Sequence, residues 1–319
     1  MKQDKISVVI PSYNEEENII PVYEALSSIL QKENLLYELI FVNNGSFDRS
    51  DEIFEELAKK DDKVKVIFLS RNFGSQNAYS AGLSVASGDA VVCIDGDLQD
   101  PPELIHSFIE KWREGYQIVY GIRTKRKGSI IKRIGYKIFY RILKKWAYVD
   151  IPLDAGDFCI MDKCVVKLLN MMPEKDRFLR GLRAYVGFKQ IGIEYVREER
   201  KKGKPKYGFL DNVRMAFKWF FSYSYSPLEL ISIFAFVVGM IAIIGIIYYM
   251  YRYFVVKDTP QGWMTTVTLI LLIGAIQLVS LSIIGAYISR LFEEIKGRPN
   301  FIISKILNED KGLSKKDNP

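Results

Sequence analysis

The chain has a single histidine, His106, among 319 residues. That scarcity argues against a Ser-His-Asp triad and a His-rich metal centre, and His106 itself reads as a helix surface residue. Cysteines number three: Cys93, Cys159 and Cys164. Their spacing fits no metal-ligand pattern and their odd number argues against a disulfide framework. Their apolar neighbours mark them as small core residues of a reducing-side protein. An apolar leader is not expected, because Met1–Lys5 runs straight into a strand pattern. The absence of zinc and RNA-binding signatures argues against nucleic acid as a partner.

Charge is missing from two stretches. Leu230–Tyr251 and Val267–Ser289 carry almost none, although 26% of the chain is charged. Each is long enough to cross a hydrocarbon core of ~30 Å, which predicts transmembrane helices at about 229–252 and 265–289. Gln277, Ser280 and Ser282 can bond across to the first helix, and Gly239, Gly245, Gly274 and Gly285 allow close approach. The connection near Tyr253–Met264 is short, so the pair forms a hairpin with both ends on one side. Basic residues crowd the chain before Tyr225 and after Ser289. This predicts an inner-membrane, multi-pass protein with a cytoplasmic domain (1–225), a cytoplasmic tail (293–319) and both termini inside. The formal net charge of +7 lies outside the apolar runs and suits anionic lipid headgroups or phosphorylated substrates.

Between Ser129 and Tyr148, Ile130, Ile131, Ile134, Ile138, Ile142 and Leu143 alternate with Lys132, Arg133, Lys137, Arg141, Lys144 and Lys145. The pattern predicts a basic amphipathic helix on the membrane surface; the alternative is an ordinary helix packed on the core. Residues 211–225 form an aromatic, amphipathic juxtamembrane segment, and Arg197–Tyr207 a basic loop.

The N-terminal part alternates strands with helices. Strands are expected at Ile6–Ile10, Glu38–Val42, Val64–Leu69 and Ala90–Ile94. Helices are expected after Asn14–Asn18 and over Ser50–Lys60, Ala78–Ala86 and Pro102–Glu114. Such alternation predicts a mainly parallel α/β sheet, whose ligands bind at the carboxyl ends of the strands. Pro11-Ser-Tyr-Asn14, Asn43-Asn-Gly-Ser46 and Asp95-Gly-Asp97 all fall at such ends. A buried strand that stops in Asp95-Gly-Asp97-Leu-Gln99-Asp100 places carboxylates where a cation would bind. Hard ions such as Mg2+ or Mn2+ bridge one or two carboxylates to substrate phosphates. Asp100 has a plainer reading as the cap of the following helix.

Taken together, Ile10–Glu16, Val42–Asp48, Ser70–Gly74, Asp95–Pro101, Gly156-Asp157-Phe158 and Arg200–Tyr207 occur in the order seen in family 2 glycosyltransferases. The chain resembles in particular the polyisoprenyl-phosphate glycosyltransferases, the group of dolichyl-phosphate mannose synthases and bactoprenol glucosyltransferases. The resemblance covers about residues 6–225, and the two-helix tail matches the bactoprenol branch. It implies a GT-A, Rossmann-like fold, a sugar nucleotide donor and a polyprenyl phosphate acceptor. Pro11, Tyr13 and Glu15 would hold base and ribose together with the turn containing Asn44, Ser46 and Asp48, and Arg71 joins this donor-binding set. Asp95, Asp97 and Gln99 would surround Mg2+ or Mn2+. Arg123 and Arg133 would meet phosphate oxygens, and Arg200 and Lys206 would grip the diphosphate. Asp157 matches an acidic position near the sugar hydroxyls and the attacking group.

A phosphate monoester has a second pKa of about 6, so the acceptor is already an anionic nucleophile at neutral pH. A strong general base is therefore not required. Asp157 is expected to orient the sugar or assist, Asp97 and Arg133 to serve the catalytic step, and direct displacement to invert the anomeric centre. The chain departs from the family at Asn43-Asn44, where an Asp is usual, and at Pro205, where Ser is common. The expected reaction moves one hexose from UDP-glucose to undecaprenyl phosphate. UDP-N-acetylglucosamine, a UDP-amino-arabinose or GDP-mannose as donor, or a degenerate membrane scaffold, remain the alternatives. A homo-oligomer is expected, and a separate flippase would move the product, since two helices rarely form a pore.

Overall fold

The computed structural model describes residues 3–33, 35–124, 155–197, 226–256 and 262–309. Arg133, Arg200, Lys206 and the two expected interfacial helices lie outside the described residues. The chain divides into two compact units, one formed by 1–144, 149–214 and 298–319, the other by 145–148 and 215–297.

The first unit opens with four β/α repeats: β1 (Lys5–Ser12), α1 (Ile19–Lys32), β2 (Leu36–Asn43), α2 (Ser50–Lys60), β3 (Val64–Leu69), α3 (Ser75–Val85), β4 (Ala90–Cys93) and α4 (Leu104–Arg113). Their apolar, β-branched runs are buried on both faces, as parallel strands covered by helices require. Boundaries shift little from expectation. α2 and β3 coincide with it, and α4 begins two residues late because Pro101 and Pro102 open the turn before it. Two apolar clusters fill the layers, one around Phe41, Phe54 and Phe108, the other around Tyr79, Leu83 and Met161.

The second half of this unit departs from the parallel pattern. β5 (Ile118–Arg123), β6 (Ala155–Asp162), α5 (Lys163–Met171), α6 (Leu179–Tyr185), β7 (Gln190–Tyr195) and β8 (Ile303–Leu307) complete a sheet ordered β7-β5-β6-β4-β1-β2-β3-β8. β6 runs antiparallel to both β4 and β5, and β8 antiparallel to β3. The sheet is therefore mixed. Residues 293–319 are not simply a tail, since Ile303–Leu307 pair with the edge strand β3. Asn308 fastens that return by donating from Nδ2 to the carbonyls of Ala58 (2.6 Å) and Val64 (2.9 Å). Cys93 and Cys159 are buried register partners on β4 and β6, whereas Cys164 is exposed at the start of α5, outside the core expected for it.

The second unit contains α7 (Ser226–Tyr251), a short π-helical turn (Arg252–Val256) and α8 (Trp263–Ile295). Among the described residues one helix is long and apolar enough to cross a membrane: Leu272–Ile295, with none of its apolar window buried. Ile233 (61% exposed), Leu278 (68%) and Ile295 (81%) show bare apolar side chains that water would not tolerate as an extended surface. Among the described residues, a Cβ at Gly239, Gly245, Gly274 or Gly285 would meet nothing within 4 Å. Ser280 Oγ donates to the carbonyl of Ile276 in its own helix (3.0 Å), the usual local outlet for a hydroxyl in an apolar helix.

One buried charge cluster secures the parallel half. Glu38 on β2 accepts from Ser7 Oγ (2.5 Å), Ser87 N (2.8 Å) and Ser87 Oγ (2.9 Å), and pairs with Lys65 (3.3 Å) and Lys5 (3.4 Å). Burial would raise its pKa, but these donors and Lys65 lower it from 4.5 to about 2. A depressed folded pKa stabilises the fold above pH 4.5, and the benefit is lost as pH falls towards 2. The shift corresponds to roughly 3 kcal/mol. The stability gap between wild type and Glu38→Gln should therefore be widest above pH 5 and close between pH 4.5 and 2 in denaturation experiments.

Candidate active site

Three strand ends of the first unit meet at one edge. After β1, the backbone turns through Asn14 at φ 50°, and after β4 through Leu98 at φ 53°, a conformation costly for a branched side chain and typical of sites that must aim particular groups. Gly96 suits a tight approach, since a Cβ there would sit 3.1 Å from the carbonyl oxygen of Pro11. The β1 and β2 loops are stitched together. Asn14 N donates to Ser46 Oγ (3.0 Å), Phe47 N to Asn14 Oδ1 (2.8 Å), Glu16 N to Asp48 Oδ2 (3.1 Å) and Arg49 N to Glu16 Oε2 (3.0 Å). Tyr13 lies edge-on to Phe47, with centroids 6.3 Å apart.

The donor-binding candidates occupy this corner with different degrees of freedom. Pro11, Tyr13, Ser46 and Asp48 are half-buried at its rim, and Arg71 is exposed, stacked on Phe73 at 4.1 Å. Glu15 is buried and accepts from Asn18. Asn44 is buried with its amide committed: Nδ2 donates to Asn72 (3.1 Å) and Oδ1 accepts from Phe73 N (2.9 Å). Asn43 is bound in the same way, to Asp51 and to Ser46 N. The two Asn residues thus tie the β2 end to its neighbouring loops.

Acids and arginines face each other beyond β4. Asp95 Oδ1 accepts from Tyr79 Oη (2.8 Å), and Asp97 Oδ1 from Gln99 N (3.2 Å). Arg197 Nη2 lies 3.4 Å from Asp95 and 4.0 Å from Asp97. Burial and the charges of Asp100, Asp97 and Asp157 raise Asp95 to about 6. A third of its side chain (33%) still meets solvent. Asp100 is fully buried and does not cap α4. It accepts from Tyr195 Oη and from Arg123 Nη2 (3.4 Å), while Arg123 Nε donates to Tyr195 Oη (3.0 Å). Gly156 leaves room for that arginine, since a Cβ there would lie 3.3 Å from Arg123 Nη2.

Asp157 on β6 is held by a two-pronged ion pair. Arg180 Nε and Nη2 donate to its two oxygens at 3.0 Å each, and Gln76 Nε2 adds a bond of 3.2 Å. Burial would raise its pKa, but Arg180 and Arg183 lower it to about 2. Arg183 is buried and donates to the carbonyl of Gly156 (3.0 Å). Sequence reasoning missed Arg180, Arg183, Gln76, Tyr79 and Tyr195; Arg197 was seen only as the start of a basic loop. His106 pairs with Glu33 and Glu110 on the surface, as expected.

The donor set fits a hard divalent ion. No group of three or more His, Cys, Asp or Glu is gathered as a ligand set among the described residues. Asp95 and Asp97 nevertheless share one cationic nitrogen of Arg197, so their carboxylates converge on a position that favours positive charge. Two carboxylates completed by phosphate oxygens and water suit Mg2+ or Mn2+.

The model of glycosyl transferase family 2 matches residues 7–169, and that of the GtrB C-terminal hairpin matches 226–291. The chain belongs to glycosyltransferase family 2. Its α/β domain is accordingly GT-A-like, and the protein is a glycosyltransferase. The uncharacterized glycosyltransferase YkcC of Bacillus subtilis is 42% identical over 94% of this chain and 93% of its own. The bactoprenol glucosyl transferase of Shigella phage SfII is 34% identical over 94% of this chain and 98% of its own. The glucosyl-3-phosphoglycerate synthase of Mycobacterium tuberculosis, solved with Mn2+ and UDP, is 24% identical with a TM-score of 0.43, covering 67% of this chain and 76% of that one.

In this glycosyltransferase, Tyr195→Phe removes a donor from a carboxylate that has no access to water. We expect a loss of about 1–3 kcal/mol in folding stability, measured by denaturation, because Asp100 is left partly unsatisfied.

Proposed function

We propose that this enzyme transfers one hexose, with glucose from UDP-glucose as the favoured donor, to undecaprenyl or another polyprenyl phosphate at the cytoplasmic face of the inner membrane. The observation that carries this reading is the near-full-length relation to bactoprenol glucosyl transferases, which spans both the catalytic domain and the hairpin. The membrane orientation draws support from the fold. The chain leaves the sheet before α7 and returns to it at β8, so any bilayer between must be crossed an even number of times. Both ends of the hairpin then lie on the domain's side.

An ion bound at Asp95 and Asp97 would neutralise the leaving diphosphate. The acceptor phosphate oxygen attacks the anomeric carbon, the bond from that carbon to the diphosphate oxygen breaks, and the nucleoside diphosphate leaves with the electron pair, inverting the centre. No proton need move when the acceptor is a dianion. Asp157 suits that chemistry as an ionised, oriented acceptor for sugar hydroxyls, because a carboxylate held at about pKa 2 by Arg180 does not take protons near neutrality. Arg123, Arg133, Arg200 and Lys206 supply positive charge for the phosphates. Tyr13, Glu15 and the Ser46–Asp48 turn, with Pro11, Asn44 and Arg71, would frame the nucleoside, and Gln99 would complete the metal environment. A homo-oligomer and a separate flippase fit the same reading.

Purified enzyme in detergent, given undecaprenyl phosphate, Mg2+ or Mn2+ and labelled sugar nucleotides, should send label from one donor into the organic phase. Label from UDP-N-acetylglucosamine, UDP-amino-arabinose or GDP-mannose alone would reassign the sugar. No label from any donor, with folded protein, would favour a scaffold. Asp97→Asn should lower turnover at least 100-fold without disturbing membrane insertion, and unchanged activity would refute the metal role of Asp97. In kcat against pH, Asp157→Asn should keep whatever acidic limb the wild type shows near pH 6. Loss of that limb would make Asp157 the base after all.

A further inference from the structure

Arg197 lies two residues beyond β7, and its guanidinium enters the carboxylate cluster. Nη2 is 3.4 Å from Asp95 Oδ2 and 4.0 Å from Asp97 Oδ2, and Nε is 3.3 Å from Asp100 Oδ1. One side chain therefore touches all three acids of the Asp95–Asp100 loop. The contact is rich in charge and poor in hydrogen bonding. Only Nη2 to Asp95 has hydrogen-bond geometry, and at 3.4 Å it is long. Nε is buried with no hydrogen-bond partner among the described residues. Arg180 differs in kind: its fork meets both oxygens of Asp157 at 3.0 Å. A matched fork is built to stay, whereas a guanidinium held mainly by net charge is a counter-ion and can be exchanged.

We infer that Arg197 is a tethered counter-cation. It occupies the metal's carboxylates in the ligand-free enzyme and yields them when the divalent ion arrives with the donor diphosphate. This rests on the metal role of Asp95 and Asp97 proposed above. Each of these carboxylates disfavours ionisation of the others, and in the ligand-free site Arg197 is the side chain that reaches Asp95, Asp97 and Asp100 together. A divalent ion between the same oxygens would repel a guanidinium a few ångströms away and remove the reason for its position. The diphosphate brings new negative charge, and a released Arg197 has a fresh partner there. Arg197 is a positioning residue in this scheme.

The test uses the full chain in detergent without donor. Titration calorimetry with Mn2+ should show Arg197→Gln binding the ion on the order of tenfold more tightly than wild type, and Asp95→Asn binding it more weakly. Arginine modification by phenylglyoxal, mapped by mass spectrometry, should be slow at Arg197 without metal and faster with Mn2+, while Arg180 stays protected throughout. Equal Mn2+ affinity in wild type and Arg197→Gln overturns the exchange and leaves the metal assignment standing. Tighter binding without any gain in Arg197 reactivity means simple repulsion and also overturns it. No Mn2+ binding in any form overturns the metal assignment itself. Arg197→Lys, which keeps the charge but not the reach, should bind Mn2+ with intermediate affinity and serves if the Gln variant does not fold.

Discussion

Mutual repulsion among Asp95, Asp97, Asp100 and Asp157 is the constraint around which the catalytic domain is arranged. These acids lie at the ends of β4 and at the start of β6, in a region that is largely buried, where unbalanced charge is costly. The fold supplies the balance from several directions. β5 brings Arg123, α6 brings Arg180 and Arg183, and the segment after β7 brings Arg197. β5 and β7 run in the same direction as β1–β4, so Arg123 and Arg197 come from carboxyl ends at the same edge of the sheet, while the antiparallel β6 brings Asp157 to that edge near its start. Tyr195 and Tyr79 complete the set by donating to Asp100 and Asp95.

The four arginines are not equivalent. Arg180 and Arg183 are spent on protein groups and keep Asp157 in one protonation state. Arg123 is divided between Asp100 and the hydroxyl of Tyr195, with Gly156 beside it. Arg197 is the least well bonded. This gradation separates groups that define the shape of the crevice from groups that can answer a change in its charge. It also explains how an acidic site can be stable while still accepting a polyanionic substrate.

The parallel half was legible in the sequence because its signals are local. The buried strands are apolar runs with β-branched residues that stop at Pro, Asn, Ser or Asp, and the helices carry a periodicity of their own. The acids of the Asp95–Asp100 loop were visible for the same reason. Their partners were not. Arg180 and Arg183 sit in a seven-residue helix too short to carry a clear periodicity, and Tyr195 is one aromatic in a short strand. Their roles arise from contacts across the sheet that leave no mark on neighbouring residues. Asp100 showed the limit most clearly: by position it resembled a helix cap, yet its side chain turns inward to Tyr195 and Arg123. β8 was missed because its partner, β3, lies more than 230 residues earlier, and a five-residue strand at that separation carries almost no pattern.

The pairing of β8 with β3 alters what the hairpin is in architectural terms. The apolar helices are an insertion into the catalytic domain, flanked by sheet on both sides, rather than an appendage at its end. Stopping translation before α7 would therefore remove an edge strand and the Asn308 clasp along with the membrane segment, leaving the backbone of β3 open to pairing with other chains. A water-soluble form of the catalytic half calls for splicing, with a flexible linker joining the end of the domain's first stretch to Arg298.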